Sequence, residues 1–388
     1  MLFDEAYFDA GLDRRGTDCV KWDGLAREHG EDILPMWVAD MDFPSPPAVA
    51  EAIAERAKHP TYGYTEVTDG DWQAPIDFWR RRHGLTIRRE EMQLLPCVVT
   101  GIKVAIRACT EEKDGVVIMP PVYHPFAASV KATGRTLVNC PLIKDDDGRY
   151  TMDEASLEAA FAAGARAVVL CNPHNPVGRA WTAEELTRLC DMAKRHQVTV
   201  ISDEIHADFV FDGRKHVSAL SIMRENVIML CAASKTFNTA GLQQSLCVCP
   251  DAALRERVAK VIAGTGITSG NVFALAGTRA AYEHGDAWLD GLVPYLEGNR
   301  NALAEAVSEL LPGAVLTPLE ATYLCWLDVS AYGLSDGEVK ARCLKHGVYF
   351  NDGSIFGREG AGFVRINIGC PRRYIREGIL RLKKALEE

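Results

Sequence analysis

Between about Leu94 and Cys249, short β-branched apolar runs alternate with segments whose apolar residues recur at helical spacing. Val116–Met119, Ala167–Leu170, Val198–Ile201, Val227–Cys231 and Ser245–Cys249 read as buried strands. Thr182–His196 reads as a helix, with Thr182 as N-cap and Glu185 three residues on completing a capping box. Such alternation predicts an α/β fold: a mainly parallel sheet sandwiched by helices. Ligands in such sheets bind beyond the carboxyl ends of the strands. After about Gly285 the texture changes. Helical patterns over Asp290–Leu311, Asp336–His346 and Arg373–Leu386 mix with strand patterns over Tyr323–Leu327 and Phe363–Ile368. These predict a smaller α+β domain, with the Pro/Trp-rich first 45 residues packed against it. The expected division is a large domain over 46–285 and a small one built from 1–45 with 286–388.

A chain of 388 residues suits two domains. Its formal charge of −10 argues against nucleic acid as a partner. No window reaches about 18 consecutive apolar residues, so no membrane span is expected. The start, M-L-F-D-E-A-Y-F-D, lacks the basic and apolar stretches of a secretion signal, which points to the cytoplasm. Of the twelve cysteines, Cys109, Cys171, Cys190, Cys231, Cys247 and Cys325 sit inside apolar runs. There is no C-x-x-C and no H-E-x-x-H. The cysteines therefore read as small core hydrophobes in a reducing compartment, and no metal is expected.

The chemistry concentrates after the strands. Lys235 follows Val227–Cys231; a lysine at the mouth of a buried strand loses hydration and becomes available as an amine nucleophile. Asp203 ends a β-branched strand and fits a helix cap, a metal ligand or the counter-charge of a protonated ring nitrogen. Asn175, in N-P-H-N-P-V-G, is either part of a rigid turn or an amide donor to a ligand oxygen, and His206 is close enough in sequence to Asp203 to face the same oxygen. Tyr123 fits stacking on a planar ring as well as core filling. The turn Pro96–Ile102 feeds a helical pattern whose free N–H groups suit a phosphate, and Ser234 can add a hydroxyl. The segment G-T-G-I-T-S-G from Gly264 lacks the preceding strand and spacing of a dinucleotide site. Arg365, inside an apolar strand, calls for a bidentate anion: a substrate carboxylate or an internal salt bridge.

Taken in order, N-P-H-N-P-V-G, S-D-E-I-H and S-K-T-F-N resemble the fold-type I pyridoxal phosphate enzymes of the aminotransferase class I/II superfamily. L-P-M-W-V-A-D-M-D-F-P, Y-G-Y-T, P-P-V-Y-H-P-F, S-D-E-I-H-A-D and G-F-V-R-I-N-I-G-C-P are similar to its MalY/PatB branch, the cystathionine β-lyases and related cysteine-S-conjugate β-lyases. The resemblance implies the seven-stranded type of sheet and pyridoxal 5'-phosphate as cofactor. It implies a covalent link from Lys235 to the cofactor aldehyde, Asp203 on the pyridine nitrogen, Asn175 and His206 near the phenolic oxygen, and Tyr123 against the ring. Phosphate falls to Val98, Val99 and Ser234, with Tyr64 reaching across a homodimer interface. Arg365, Ala39, Tyr123 and Asn175 are the implied substrate contacts, and Trp37, Met41 and Tyr62 are candidates for the leaving-group pocket. The implied reaction is α,β-elimination of cystathionine, cysteine or another S-substituted cysteine to thiol, pyruvate and ammonia. An aminotransferase is the alternative, and a cofactor-binding regulatory protein a lesser one. His206 replaces the tyrosine frequent in aminotransferases, which favours the lyase. Gln243, Ala232, Cys97, Thr100 and Gly101 depart from the residues usual around the phosphate.

Overall fold

The structure, a computed structural model, describes residues 3–267 and 270–388. Met1, Leu2, Thr268 and Ser269 lie outside them, and with them the very start of the chain and part of the G-T-G-I-T-S-G segment. One sheet of seven strands has the order Met92–Leu95, Ser245–Val248, Val227–Cys231, Thr199–Asp203, Ala165–Cys171, Gly115–Ile118, Thr136–Asn139. Ser245–Val248 runs antiparallel to both its neighbours; the other pairings are parallel. All six remaining strands therefore end on one edge. Hydrophobic pattern alone does not encode strand direction, so this reversal was not legible in the sequence.

Strand alternation sends side chains to two separate apolar layers. Val117, Val168, Val200 and Met229 join the core on one face. Val116, Val169, Ile201, Ile228, Cys247 and Cys249 join the core on the other. Each fully buried aliphatic side chain contributes roughly 1.5–3 kcal/mol. The helix Val98–Cys109 covers the second face through Ile102, Ala105 and Ile106. Gly101 lets it lie close: a Cβ there would sit 2.9 Å from Leu230 Cδ2. The helix Ala183–Arg195 carries the expected capping box between Thr182 and Glu185.

A second, antiparallel sheet has the order Val315–Leu316, Leu324–Asp328, Phe363–Asn367, Asn351–Asp352. Asp286–Leu310, Asp336–Lys345 and Arg373–Glu387 are its helices. The N-terminal segment joins this region, Leu34–Pro35 pairing parallel with Val348–Tyr349. All twelve cysteines are free. No helix among the described residues is long and apolar enough to cross a membrane, and no cluster of side chains among them is suited to hold a metal ion.

The loop after Leu34–Pro35 is fixed by a buried charge cluster. Asp42 accepts from Lys21 Nζ at 2.8 Å, Trp22 Nε1 at 3.0 Å and Arg14 Nη1 at 3.2 Å. Arg14 also grips Asp40 through both terminal nitrogens, at 2.9 and 2.8 Å. Lys21 and Asp42 are both almost wholly buried. Removing one partner of such a pair costs about 3–5 kcal/mol, whereas an exposed pair contributes about 0–1. Asp42→Ala is therefore expected to lower the thermal unfolding midpoint by several degrees, read by circular dichroism. Asp13→Ala, which breaks the exposed pair with Arg15, is expected to leave it within about one degree.

Candidate active site

A cavity of about 220 Å³ opens where the parallel strands end. Each strand delivers its residue through a short local device. After Met92–Leu95, Cys97 turns the chain into the helix Val98–Cys109 and makes no side-chain cap. The first N–H groups of that helix, at Val98 and Val99, are thus left free beside the cavity. Cys97 Sγ lies 3.3 Å from Thr100 Oγ1, so the two unusual side chains at this turn satisfy each other. Tyr123 follows Gly115–Ile118 and Asn175 follows Ala165–Cys171; Tyr123 N donates to Asn175 O at 3.1 Å. Asp203 ends its own strand, and the tight turn after it presents His206 to the same space. Lys235 and Ser234 lie on the single helical turn Ala233–Thr236 after Val227–Cys231. Ala39, from the N-terminal segment, closes the opposite side.

Asp203, His206 and Arg365 are buried and Lys235 is partly exposed to the cavity, yet Lys235, Asp203 and Arg365 form no ion pair with one another. Burial pushes the Asp203 carboxyl up to about 7; the Ile205 N–H lowers it, Glu204 beside it raises it further and Lys235 pulls it back. The Ile205 N–H, at 3.2 Å, is its only hydrogen bond among the described residues; it closes a turn, and no helix starts there for Asp203 to cap. Burial lowers Lys235 to about 8, against a raising pull from Asp40, a lowering push from Arg365 and a raising pull from Asp203. His206 falls to about 3 through burial, then through the charges of Lys235 and Arg365, so its ring is neutral. Its Nδ1 is buried without a partner among the described residues.

Arg365 does not form the internal salt bridge that was one of its two readings. Its guanidinium donates to Asn175 Oδ1 at 3.0 Å, to Trp37 O at 2.9 Å and to Asn351 Oδ1. It lies over the Phe356 ring, and its buried Nε has no partner among the described residues. All its partners are neutral, which leaves an uncompensated cation beside Asn175.

The segment 36–45 is held from two sides, by Lys235 and by Tyr323, Asn238 and Asn367, which motif reading passed over. Lys235 Nζ and Tyr323 Oη donate to Ala39 O, at 2.6 and 3.0 Å. Asn238 Nδ2 donates to Met41 O and Phe43 O, both at 2.9 Å, and its Oδ1 accepts from Met41 N at 3.0 Å. From the second sheet, Asn367 Nδ2 donates to Asp40 O at 2.7 Å and to Val38 O. Both carboxamides stand inside the motifs S-K-T-F-N and F-V-R-I-N-I-G, and a buried amide in an apolar strand such as Asn367 was the available signal.

Three expected pocket residues are elsewhere. Met41 packs into the core against Gly369, and the Trp37 indole donates to Lys21 O at 3.2 Å. Tyr62 packs on Phe273 at the surface. Tyr64 is fully exposed, at 105 %, and touches no part of this chain's cavity. Gln243 and Ala232, two of the departures noted in the sequence, do line the cavity.

A ligand suited to this cavity has an anionic group for the Val98–Val99 amides, a basic ring nitrogen for Asp203 and an acceptor for His206 or Asn175. It also has a carbonyl carbon within reach of an amine that is neutral for much of the time near pH 8. Pyridoxal phosphate meets each of these demands, and the unpartnered His206 Nδ1 and Arg365 Nε are the atoms it and an amino-acid carboxylate would satisfy.

The family model for aminotransferase class I and II matches residues 31–382. Cystathionine β-lyase PatB of Bacillus subtilis is 41% identical over 385 residues, covering 98% of this chain and 99% of that protein. Cystalysin from Treponema denticola, whose crystal structure contains a pyridoxal 5'-phosphate cofactor, superposes with a TM-score of 0.94 at 31% identity, covering 100% of this chain and 99% of that one. The pyridoxal phosphate-bound C-S lyase from Staphylococcus hominis gives 0.91 at 31% identity, with 98% of each chain covered. This chain belongs to the aminotransferase class I and II family.

Proposed function

We propose that this protein is a pyridoxal phosphate-dependent carbon–sulfur β-lyase that splits cystathionine, cysteine or a related S-substituted cysteine into a thiol, pyruvate and ammonia. The observation that carries the reading is that Lys235 and Asp203 line one cavity together with Asn175, to which the buried Arg365 guanidinium donates, in a chain 41% identical to a cystathionine β-lyase.

Lys235 would hold the cofactor covalently, Asp203 its ring nitrogen, Val98, Val99 and Ser234 its phosphate, and Asn175 and His206 its phenolic oxygen. When bound, the cofactor supplies an electron-accepting ring that stabilises negative charge at the substrate Cα. Arg365 takes the substrate α-carboxylate, and Asn175, already bonded to the guanidinium, fixes its direction. Tyr123, which lines the cavity, would pack against the cofactor ring. Lys235, lowered to about 8, moves the proton at Cα, because a base matched to the working pH is both neutral and reactive. The Ala39 carbonyl receives the ammonium that results. Asp203 retains its charge once a cationic nitrogen offsets the burial that raises it.

Several features support the wider assignment. The exposed Tyr64 and a groove of about 600 Å³ that shares Pro96, Gln243 and Gln244 with the site fit a homodimer in which Tyr64 reaches the partner's phosphate site. The pairing of Leu34–Pro35 with Val348–Tyr349 supports grouping 1–45 with 286–388. Twelve free thiols suit a reducing cytoplasm.

Purified protein loaded with the cofactor is expected to release pyruvate from cystathionine without any added keto acid. Lys235→Ala is expected to abolish this, and Arg365→Ala to lower kcat/KM about 100-fold, mainly through KM. Pyruvate formation that depended on a keto acid would instead identify transamination. Deprotonation of Lys235 is expected to centre near pH 8. In cofactor-free protein, its labelling by an amine reagent, followed by peptide mass spectrometry, should rise to half its plateau there rather than near the ordinary lysine value of about 10.4. A midpoint above 10 would contradict the desolvation argument.

A further inference from the structure

A second buried ionic cluster lies behind the catalytic turn and takes no part in the chemistry above. Asp208 Oδ1 meets His83 Nε2 at 2.9 Å, and Asp208 Oδ2 accepts from Thr236 Oγ1 at 2.6 Å. His83 and Asp208 are each more than nine-tenths buried, and Thr236 is buried beside them. We propose that Asp208, braced by His83, is a positioning residue for Lys235, acting through the Thr236 hydroxyl to fix the turn that carries the lysine. The proposal rests on the reading of Lys235 given above.

The turn needs such a fixture. Ala233–Thr236 is a single helical turn whose N-cap residue, Ala232, offers no side-chain bond. One isolated turn is an unfavourable helix nucleus, so its geometry depends on outside contacts. Asn238 supplies one on the outer side, to residues 41–43. Apart from the lysine amine itself, which reaches Ala39 O, the only side-chain hydrogen bond of the turn among the described residues is that of Thr236, next in sequence to the lysine.

Asp208 is built to accept it. Burial alone would raise its pKa, but the charge and hydrogen bond of His83, then the Thr236 hydroxyl and the charge of Arg82, hold it below the usual carboxylate range. Hydrogen bonds to charged groups are the strong ones. His83 is in turn immobile: it is the last residue of the helix Asp69–His83, with its ring 4.5 Å from Trp79 and 5.6 Å from His216. Asp208 also belongs to the turn that presents Asp203 and His206. The motif S-D-E-I-H-A-D therefore ends in a residue that ties the ring-nitrogen side of the cavity to the lysine side. A displacement of the order of 1 Å at a reacting group is enough to cost a large factor in rate.

The test compares Thr236→Val, Thr236→Ser and Asp208→Asn with the parent chain. Thr236→Val keeps the shape of the side chain and removes the hydroxyl. It is expected to lower kcat for cystathionine at least about tenfold per cofactor-loaded molecule with KM within about twofold. Thr236→Ser restores the hydroxyl and is expected to stay within about twofold of the parent. In cofactor-free protein, where turnover plays no part, amine labelling of Lys235 should rise about threefold in Thr236→Val and not in Thr236→Ser. Asp208→Asn, which keeps the shape of the clamp, is expected to follow Thr236→Val and decides the matter if the valine chain does not fold. A parent-like kcat and labelling rate in whichever of Thr236→Val and Asp208→Asn folds, or a serine variant as impaired as the valine one, would overturn the proposal. Loss of turnover in the parent chain itself would instead remove the reading of Lys235.

Discussion

Taking an ion out of water without a partner is expensive, and this fold does so three times around one cavity. Asp203 and Arg365 are buried and Lys235 is partly so, and none makes an ion pair among the described residues. Each shift runs in the direction that burial imposes: the acid up, the amine and the guanidinium down. Such an arrangement does not add to stability. Under the proposed reading, a charged ligand with a basic nitrogen and a carbonyl carbon, together with a carboxylate-bearing substrate, would supply each missing partner. The surrounding fold has to hold these three groups apart and dry, and most of its specific polar contacts can be understood in that light.

Those contacts converge on two pieces of backbone. One is the lysine turn, anchored by Thr236 below and Asn238 above. The other is the segment 36–45, which Arg365 and Asn367 hold from the second sheet, Asn238 from the first, and the Lys21–Asp42–Arg14 cluster from outside. Ala39 O, where the Lys235 amine and the Tyr323 hydroxyl meet, sits where all of these act. The active site is thus assembled between the two sheets rather than carved into either.

Much of this was legible in the sequence, for local reasons. Period-two alternation sends Val116 and Val117 to opposite faces, and the Thr182–Glu185 box marks a helix start within the residues that form it. Strand-end placement put Asn175, Asp203 and Lys235 together because parallel strands share a carboxyl edge. The contacts that were not legible join residues far apart in the chain. His83 reaches Asp208 and Asn238 reaches Met41 only after folding, and no spacing rule announces either. Trp37 and Met41 do not line the cavity, because position beside Ala39 does not fix side-chain direction: one indole turns to Lys21, and one thioether packs against Gly369. The departures at Thr100 and Gly101 have local explanations, a partner for Cys97 and a close helix-to-sheet approach.

The central claim is that a desolvated lysine and an unpaired strand-end carboxylate together form a binding site for one aldehyde-bearing cationic ring. Cofactor-free protein mixed with pyridoxal 5'-phosphate and treated with borohydride, followed by peptide mapping, tests it directly. The account predicts a visible absorption band that borohydride bleaches, with the reduced cofactor attached to Lys235 at one per chain, and a much weaker band when Asp203 is replaced by alanine. Attachment spread over surface lysines, or a band indifferent to Asp203, would contradict it.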